Sequence, residues 1–523
     1  MIYDAIIIGN GGAALSCAIS LKQRNLNILV ITKGDCTSAQ TSQAQGGINA
    51  VINPNDSIEN HIKDTLKSAH NIGDTTTIEY MCNNAKETIL WLDSLGVPFN
   101  RDNNNNIAQR QLGGASYNRA CYSSDYTGLK IVHTLFDTAN KLDIEFLYQH
   151  NLLDIIVEDD ISKGVIVQNI KNSAISQYLA KNIILATGGY GGVYHNYTTN
   201  SKGNVGDGIA IAYKNGAILE NMEFVQFHPT AIKDKFILIS ESARGEGGYL
   251  ITKDKERFVD ELLPRDIVAR EIYKKIQNNQ EIFLDVRHLG YEKIIELLPQ
   301  EYKLCLEHLS LRMDKDPIPI TPASHYTMGG IKANQSLQTN IKFLYAVGEC
   351  SNIGVHGANR LGGNSLLEII TFGKAIADNI TTNNIVIDKE YPQLSKAKKD
   401  INSILNYNGD KNFYTQRDRL GEIMFQNVGL FREESKLKKA LTFINENITN
   451  LNKFKIEDKS TIYNTNLKDF LEFRNSLYIS KAIVLSALKR EESRGSHYRE
   501  DYPNSSKLFE NTTLYIKEEV VNG

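Results

Sequence analysis

The sequence predicts an α/β protein: a Rossmann-like domain interrupted by an inserted α+β unit and followed by a helical domain. Three observations carry the prediction. Residues 2 to 33 read as strand, glycine turn, apolar-periodic helix and second strand, a complete βαβ unit. From about Met222 the chain changes character, and most of its conspicuous ionisable residues fall between there and residue 329, among short strands and helices. Beyond residue 384 the pattern turns to amphipathic helices with Lys, Glu and Asn on their exposed faces. The expected domains are therefore 1–221 with 330–384, an insert at 222–329, helices at 385–490 and a polar tail at 491–523, which is expected on the surface.

The first turn, Gly9-Asn10-Gly11-Gly12-Ala13-Ala14, follows a strand and opens a helix. This is the G-x-G-x-x-A spacing a dinucleotide pyrophosphate needs: Gly9 makes the tight turn, Gly11 lets backbone N–H groups approach, and Ala14 lets helix and strand pack closely. The second strand ends in Thr32-Lys33 rather than the acidic residue that grips a ribose, so a dinucleotide site is predicted but NAD is not specified. Residues 37 to 50 are small and polar, with Gly46-Gly47 allowing another close backbone approach. A helical stretch is expected over 56 to 95, where Trp91 reads as a packing residue, and a polar loop region over 100 to 128 contains Leu112-Gly113-Gly114. A strand pair then leads into a buried strand ending Ala186-Thr187-Gly188-Gly189, a second place for the main chain to lie along a dinucleotide. A helix opens near Gly206-Asp207-Gly208. From Tyr345 to Phe372 a strand runs into Gly348-Glu349, a glycine loop with His356, Asn359 and Arg360, and a helix from about Ser365. There a polar ligand can meet backbone N–H groups at a positive helix end.

Charge and cysteine usage narrow the class. A net charge of -3 over 523 residues gives no pull toward nucleic acid or anionic lipid. The six cysteines form no CxxC pair, a spacing that fits reduced thiols and offers no iron–sulfur or structural zinc site. No basic leader precedes the first strand, and no apolar run approaches the roughly 18 residues of a membrane span. A cytoplasmic protein is expected.

Four groups suit a small dianion: His228 in FHPT, Arg265 in LPRD, His325 in SHYTMGG and Arg360 in GANRLGG. Arginine binds carboxylates bidentately and keeps its charge at neutral pH. Glu241 and Arg244, three apart, would share a helical face. They fit either a surface ion pair or, with Arg265, an Arg–Glu–Arg chain able to pass a proton inward. No metal spacing and no nucleophile–base pair is evident, so the chemistry is assigned to a bound cofactor.

Taken in order, AQGG, ATGG, EFVQFHPT, RGEGGYL, PRDIVARE, HYTMGGI and HGANRLGGNSLLE make a chain that resembles the flavoprotein subunits of fumarate reductase and succinate dehydrogenase, and their relative L-aspartate oxidase. The resemblance runs from residue 9 to residue 503. It implies a Rossmann-like FAD-binding domain, an inserted α+β capping domain that moves, and a C-terminal helical domain. It further implies that Gly9, Gly11, Gly12, Ala13 and Ala14 hold the FAD pyrophosphate. Thr32 and Lys33 take the family's place after the second strand. Ala44, Gln45, Gly46, Gly47, Ala186, Thr187, Gly188, Asp207, Glu349, Ser365 and Leu366 would also line FAD. His228, Ser240, Glu241, His325 and Arg360 would bind the substrate carboxylates. Arg265 would deliver a proton to one alkene carbon as flavin N5 delivers hydride to the other, with Glu241 and Arg244 as relay.

Two positions choose among the relatives. Complex-type members attach FAD covalently through a histidine five residues before the Gln of AQGG; Gln40 stands there, so noncovalent FAD is expected. L-Aspartate oxidase usually carries a Glu before the Gly-Gly at 113 to 114, suited to an ammonium group; Leu112 stands there. LGGNSLLE and the REDYP tail also lean toward fumarate and succinate, whereas ELLPRDIVARE and the short C-terminus lean toward the oxidase. The expected function is interconversion of fumarate and succinate, with an iron–sulfur subunit as electron partner and attachment to the inner membrane only through partner subunits. The alternatives are L-aspartate oxidase and a noncatalytic FAD-binding assembly subunit, the latter opposed by the presence of His228, Arg265, His325 and Arg360.

Overall fold

The computed structural model describes residues 2–380, 390–511, 513–516 and 519–522. The expected domain boundary at 384/385 lies outside the described residues. The central sheet has seven strands. Glu145–Tyr148, Ile28–Thr32, Ile2–Ile8 and Ile175–Leu185 lie side by side and parallel in that order. Beyond Ile175–Leu185, Leu344–Ala346 joins its far end in parallel, and the antiparallel strands Ile161–Asn169 and His150–Glu158 extend from its near end. The central strands are continuous Ile, Leu and Val because both faces are covered. On one face the helices Gly12–Gln23 and Asn364–Asn379 pack so closely that a Cβ on Gly373 would sit 2.7 Å from Ser16 Cβ.

All parallel strands point their carboxyl ends at one edge, which brings Gly9, Ala186 and Val347 together: Ala186 N donates to Ile8 O and Val347 N to Leu185 O, both at 2.9 Å. A ligand crevice belongs at that edge.

Between 222 and 329 the chain builds a second, four-stranded antiparallel sheet in the order Val225–Ile232, Ile318–Thr327, Ile282–Asp285, Tyr249–Thr252. It has a core of its own, including Ile232, Leu250, Val268, Leu284 and Ile294. The chain leaves and re-enters through neighbouring antiparallel strands, Leu219–Glu220 and Gly330–Lys332. The later helices are Pro392–Leu405, Phe413–Asn427, Glu434–Thr449 and Thr465–Lys489. No described helix is long and apolar enough to cross a membrane.

Two sequence expectations are corrected. The stretch 56 to 95 is three helices, Ile58–Ser68, Thr75–Asn83 and Ala85–Leu95, because Ser57 and Asp74 each cap a new start. The tail is not a surface segment throughout. Glu492, His497 and Arg499 are buried, and Thr513–Ile516 pairs with Leu219–Glu220. Its charges can be buried because they are partnered: Arg490 joins Glu223 at 2.6 Å and Glu492 at 2.8 Å, and Arg499 joins Asp501 at 2.7 Å. Burial, then Arg432 and Arg490, pushes the His497 imidazole well below its ordinary pKa, so it contributes no further charge.

Candidate active site

One cleft of about 450 Å³ runs from the edge of the large sheet to the inserted unit. Its first end is a backbone cradle. Gly9 sits at φ +128°, and a Cβ there would lie 2.1 Å from Ala186 O, so two turns of main chain meet where only glycine fits. The helices Gly12–Gln23 and Asn364–Asn379 both begin here, and neither has a side-chain cap. Although Gly12 N donates to Thr41 Oγ1 at 3.0 Å, both positive ends face the cleft and suit an anion or an electron-rich ring. Gly11, Gly12, Ala13, Thr32, Ala44, Gln45, Gly46, Gly47, Ala186, Thr187, Gly188, Ser365 and Leu366 all line the cleft, together with Gln40. Thr187 Oγ1, Gln45 Oε1 and Gln40 Nε2 are buried there without a hydrogen-bond partner. An elongated polar ligand lying on the backbone would satisfy them, which is how the residues present fit FAD.

Four of the expected cofactor residues do something more specific. Ala14 does not line the cleft; it is fully buried beneath the turn. Lys33 is not free to meet a phosphate: its Nζ joins Asp207 at 2.5 Å and Glu472 at 2.8 Å. Burial alone would lower its pKa, but these carboxylates outweigh it and raise it. Asp207 is correspondingly occupied, with Asn475 Nδ2 donating to its other oxygen at 2.9 Å. Glu349 is half-buried in the cleft wall, where its Oε1 accepts from Thr327 N at 3.0 Å and Oγ1 at 3.2 Å, and desolvation pushes it up to about 7.

The other end is cationic. Arg265 opens the helix Arg265–Gln277 and reaches Glu241 Oε2 with Nε at 3.0 Å and Nη2 at 2.6 Å. Behind Glu241 stands Arg244, whose Nη2 reaches Oε1 at 3.3 Å. The Glu241–Arg244 pair is thus not at the surface: both are only 1% exposed, and Arg244 does not line the cleft. Burial would raise the Glu241 carboxyl, but Arg265 and Arg244 together hold it below the usual carboxylate range. Glycine makes room for it, since a Cβ on Gly362 would lie 2.5 Å from its Oε2. Arg265 therefore has an acidic partner, which its neighbour Asp266 cannot be: Asp266 pairs with Arg270 at 2.8 Å.

Arg360 lies 4.4 Å above the Tyr326 ring and donates from Nη2 to Gln226 Oε1 at 3.1 Å. Burial, then Arg265, pushes it down to about 9, so it stays charged at neutral pH. His228 and His325 stand on adjacent strands with ring centroids 4.9 Å apart. Thr230 engages His228 Nδ1, and Thr199 Oγ1 lies 2.8 Å from His325 Nδ1. Burial, then Arg265, lowers both imidazoles well below their ordinary pKa, so they are neutral. Ser240 lies at the cleft as the N-cap of Glu241–Gly245, and Leu112 supplies an apolar wall. Three guanidiniums, Arg244, Arg265 and Arg360, act on the ionised carboxylate of Glu241.

Sequence reasoning missed Gln226, whose Oε1 also accepts from Arg265 Nη1 at 3.1 Å and so bridges the two cleft arginines. Its signal was present, two residues before His228 in FVQFHPT. Tyr326, under Arg360 and donating to Glu368 at 3.0 Å, was also missed. It sits beside His325 in HYTMGG, where it reads as an ordinary core aromatic.

A dinucleotide cradle continuous with a buried cationic chamber defines an FAD-dependent oxidoreductase of the inserted-domain type. The FAD binding domain model matches residues 4–366, and the fumarate reductase flavoprotein C-terminal model matches 417–521. The chain is 40% identical to an uncharacterised FAD-dependent oxidoreductase of Methanocaldococcus jannaschii, covering 96% of this chain and 94% of that one. It is 37% identical to the 8-methylmenaquinol:fumarate reductase flavoprotein subunit of Wolinella succinogenes, covering 95% and 86%. Its fold matches E. coli quinol fumarate reductase FrdA with a TM-score of 0.96 at 31% identity, covering 100% and 96%. The chain belongs to the flavoprotein-subunit family of fumarate reductase and succinate dehydrogenase, and its cofactor is FAD.

Proposed function

We propose that this chain interconverts fumarate and succinate as the flavoprotein subunit of a fumarate reductase/succinate dehydrogenase-type enzyme. The observation that carries the reading is the buried Arg265–Glu241–Arg244 chain, facing Arg360 and two neutral histidines at the end of the FAD cleft. Bound FAD supplies or accepts the hydride. The protein's own groups do the rest. Arg360, with His228, His325 and Ser240, holds the two carboxylates; the imidazoles add hydrogen bonds without adding charge. Arg265 gives a proton from its guanidinium to the alkene carbon and regains one from Glu241 Oε2. Glu241, held ionised between turnovers by two guanidiniums, can make that return because its carboxylate first accepts a proton from Arg244 at Oε1. Arg244 completes the relay on the far side. An arginine is a weak acid, but in a site closed to water it needs to lose its proton only transiently. The Gln226 bridge keeps Arg265 and Arg360 at a set separation.

Leu112 favours this substrate over L-aspartate, because an apolar wall offers nothing to an ammonium group. Gln40 at the cleft has no imidazole with which to bond a flavin, so FAD is held noncovalently. The relatives named as flavoprotein subunits support assignment of an iron–sulfur subunit as electron partner. The test is to offer the purified holoprotein fumarate with a reduced dye, and L-aspartate under anaerobic conditions. Fumarate turnover without flavin reduction by L-aspartate is expected; the reverse pattern overturns the reading in favour of L-aspartate oxidase. Acid precipitation should release the flavin, and a yellow pellet would refute noncovalent binding.

A further inference from the structure

Beside the cleft, two carboxyl groups that the mechanism does not use face each other across the boundary between the large sheet's domain and the inserted unit. Asp125 precedes the helix Thr127–Lys141 of the first, and Glu301 lies in the first turn of the helix Pro299–Leu309 of the second. Both are 0% exposed. Glu301 N donates to Asp125 Oδ2 at 3.0 Å, and Ser240 N donates to Glu301 Oε1 at 2.7 Å. Asp125 Oδ1, Glu301 Oε2 and the nearby Arg110 Nη1 are buried without partners. Arg110 is otherwise engaged by main-chain carbonyls, with Nε to Gly46 O at 2.9 Å and Nη2 to Gln45 O at 3.0 Å and Ser124 O at 2.8 Å. The cluster thus touches the glycine loop at the cofactor end and Ser240 at the substrate end.

One guanidinium already bonded to three carbonyls cannot neutralise two buried carboxylates, and uncompensated buried charge is costly. We propose that Asp125 and Glu301 form a proton-dependent latch, in which protonated Glu301 seats Ser240 and Glu241 against the cleft and its ionisation loosens that seat. Glu301 is then a positioning residue, acting through Ser240. It rests on the reading above only in taking Ser240 and Glu241 to face the substrate.

The electrostatics agree in sign. Burial, then Asp125, lifts Glu301 well above the carboxylate range, while burial lifts Asp125 to about 6. The pair therefore holds a proton at pH values where solvated carboxylates have lost theirs, and burial with the Asp125 charge directs it to Glu301. The other groups facing the cluster are Arg110 with Tyr122 beneath it, Glu246 after the Glu241–Gly245 helix, Glu296 on the Tyr122 side, and Cys305 one turn along Glu301's own helix. Since the seated pKa of Glu301 lies above its solvated value of about 4.3, seating takes up a proton. The seat is fully favoured below the solvated value and weakens as pH rises toward the seated one.

The experiment uses the FAD-loaded chain. Hydrogen exchange of residues 236 to 246, corrected for intrinsic chemistry, is followed from about pH 6 to about pH 9 without substrate. Protection should fall as pH rises in the native protein, stay level in Glu301→Gln, and fall less steeply in Asp125→Asn. A level native profile, or the same fall in all three proteins, overturns the latch. Binding of malonate, an unreactive dicarboxylate, is measured alongside. Its Kd should rise with pH by up to about tenfold per unit more steeply in the native protein than in Glu301→Gln. If malonate binds to none of the three, the dicarboxylate reading fails while the exchange profiles still decide the latch.

Discussion

The two ends of the cleft are built in opposite ways. The cofactor end is made of main chain: Gly9 against Ala186, and two uncapped helix starts. The substrate end is made of side chains held by other side chains, with Gln226 and Glu241 carrying the arginines and Tyr326 lying under one of them. Backbone recognition is short in sequence, because a turn and a helix start are local. Side-chain recognition of a dianion needs convergence from several directions, and here Gln226, Glu241, Arg265, His325 and Arg360 come from five separate stretches.

Three substitutions would break or sharpen that contrast. The largest effect is expected from Gly9→Val, whose side chain has no room beside Ala186 O. The protein should purify without yellow colour and without activity, read by its visible absorbance; a normal flavin content would show that the cradle tolerates a side chain. Next comes Arg265→Ala, which should lower fumarate reduction by about 10⁴-fold, the upper range for a general acid, while flavin content is unchanged. Substantial residual turnover with the reduced dye would remove Arg265 as proton donor, and loss of flavin would erase the separation between the two ends. The smallest effect is expected from Gln226→Leu, which strips one acceptor from both arginines. Leaving two buried charged donors short should lower stability by about 1–3 kcal/mol in denaturant unfolding and raise the KM more than it lowers kcat. An unchanged KM would show that the bridge does not set the arginine spacing.

The first end was largely readable in the chain. The GNGGAA turn after an apolar strand implies a pyrophosphate cradle whatever follows, because close approach of backbone to ligand demands small residues at fixed offsets. Even there, context decided details that spacing could not: Lys33 and Asp207 form an ion pair with each other, and Ala14 packs inward. At the second end the sequence offered the right residue types but left one pairing open. Glu241 and Arg244 at i,i+3 describe a surface pair as well as a buried one, and only the enclosing Gly362 and Arg265 decide between them.

By itself, then, the sequence determined the βαβ start, the glycine cradle, the family and the residue types needed for a dicarboxylate, since each is written in local spacing and composition. The tertiary structure alone decided which charges pair. It turned a polar tail inward around Arg490 and Glu223, joined Arg265 to Glu241 rather than Asp266, and set Asp125 against Glu301 across a domain boundary. Pairing depends on which distant residues are excluded from water together, and burial of that kind is a property of the packed chain rather than of any one stretch.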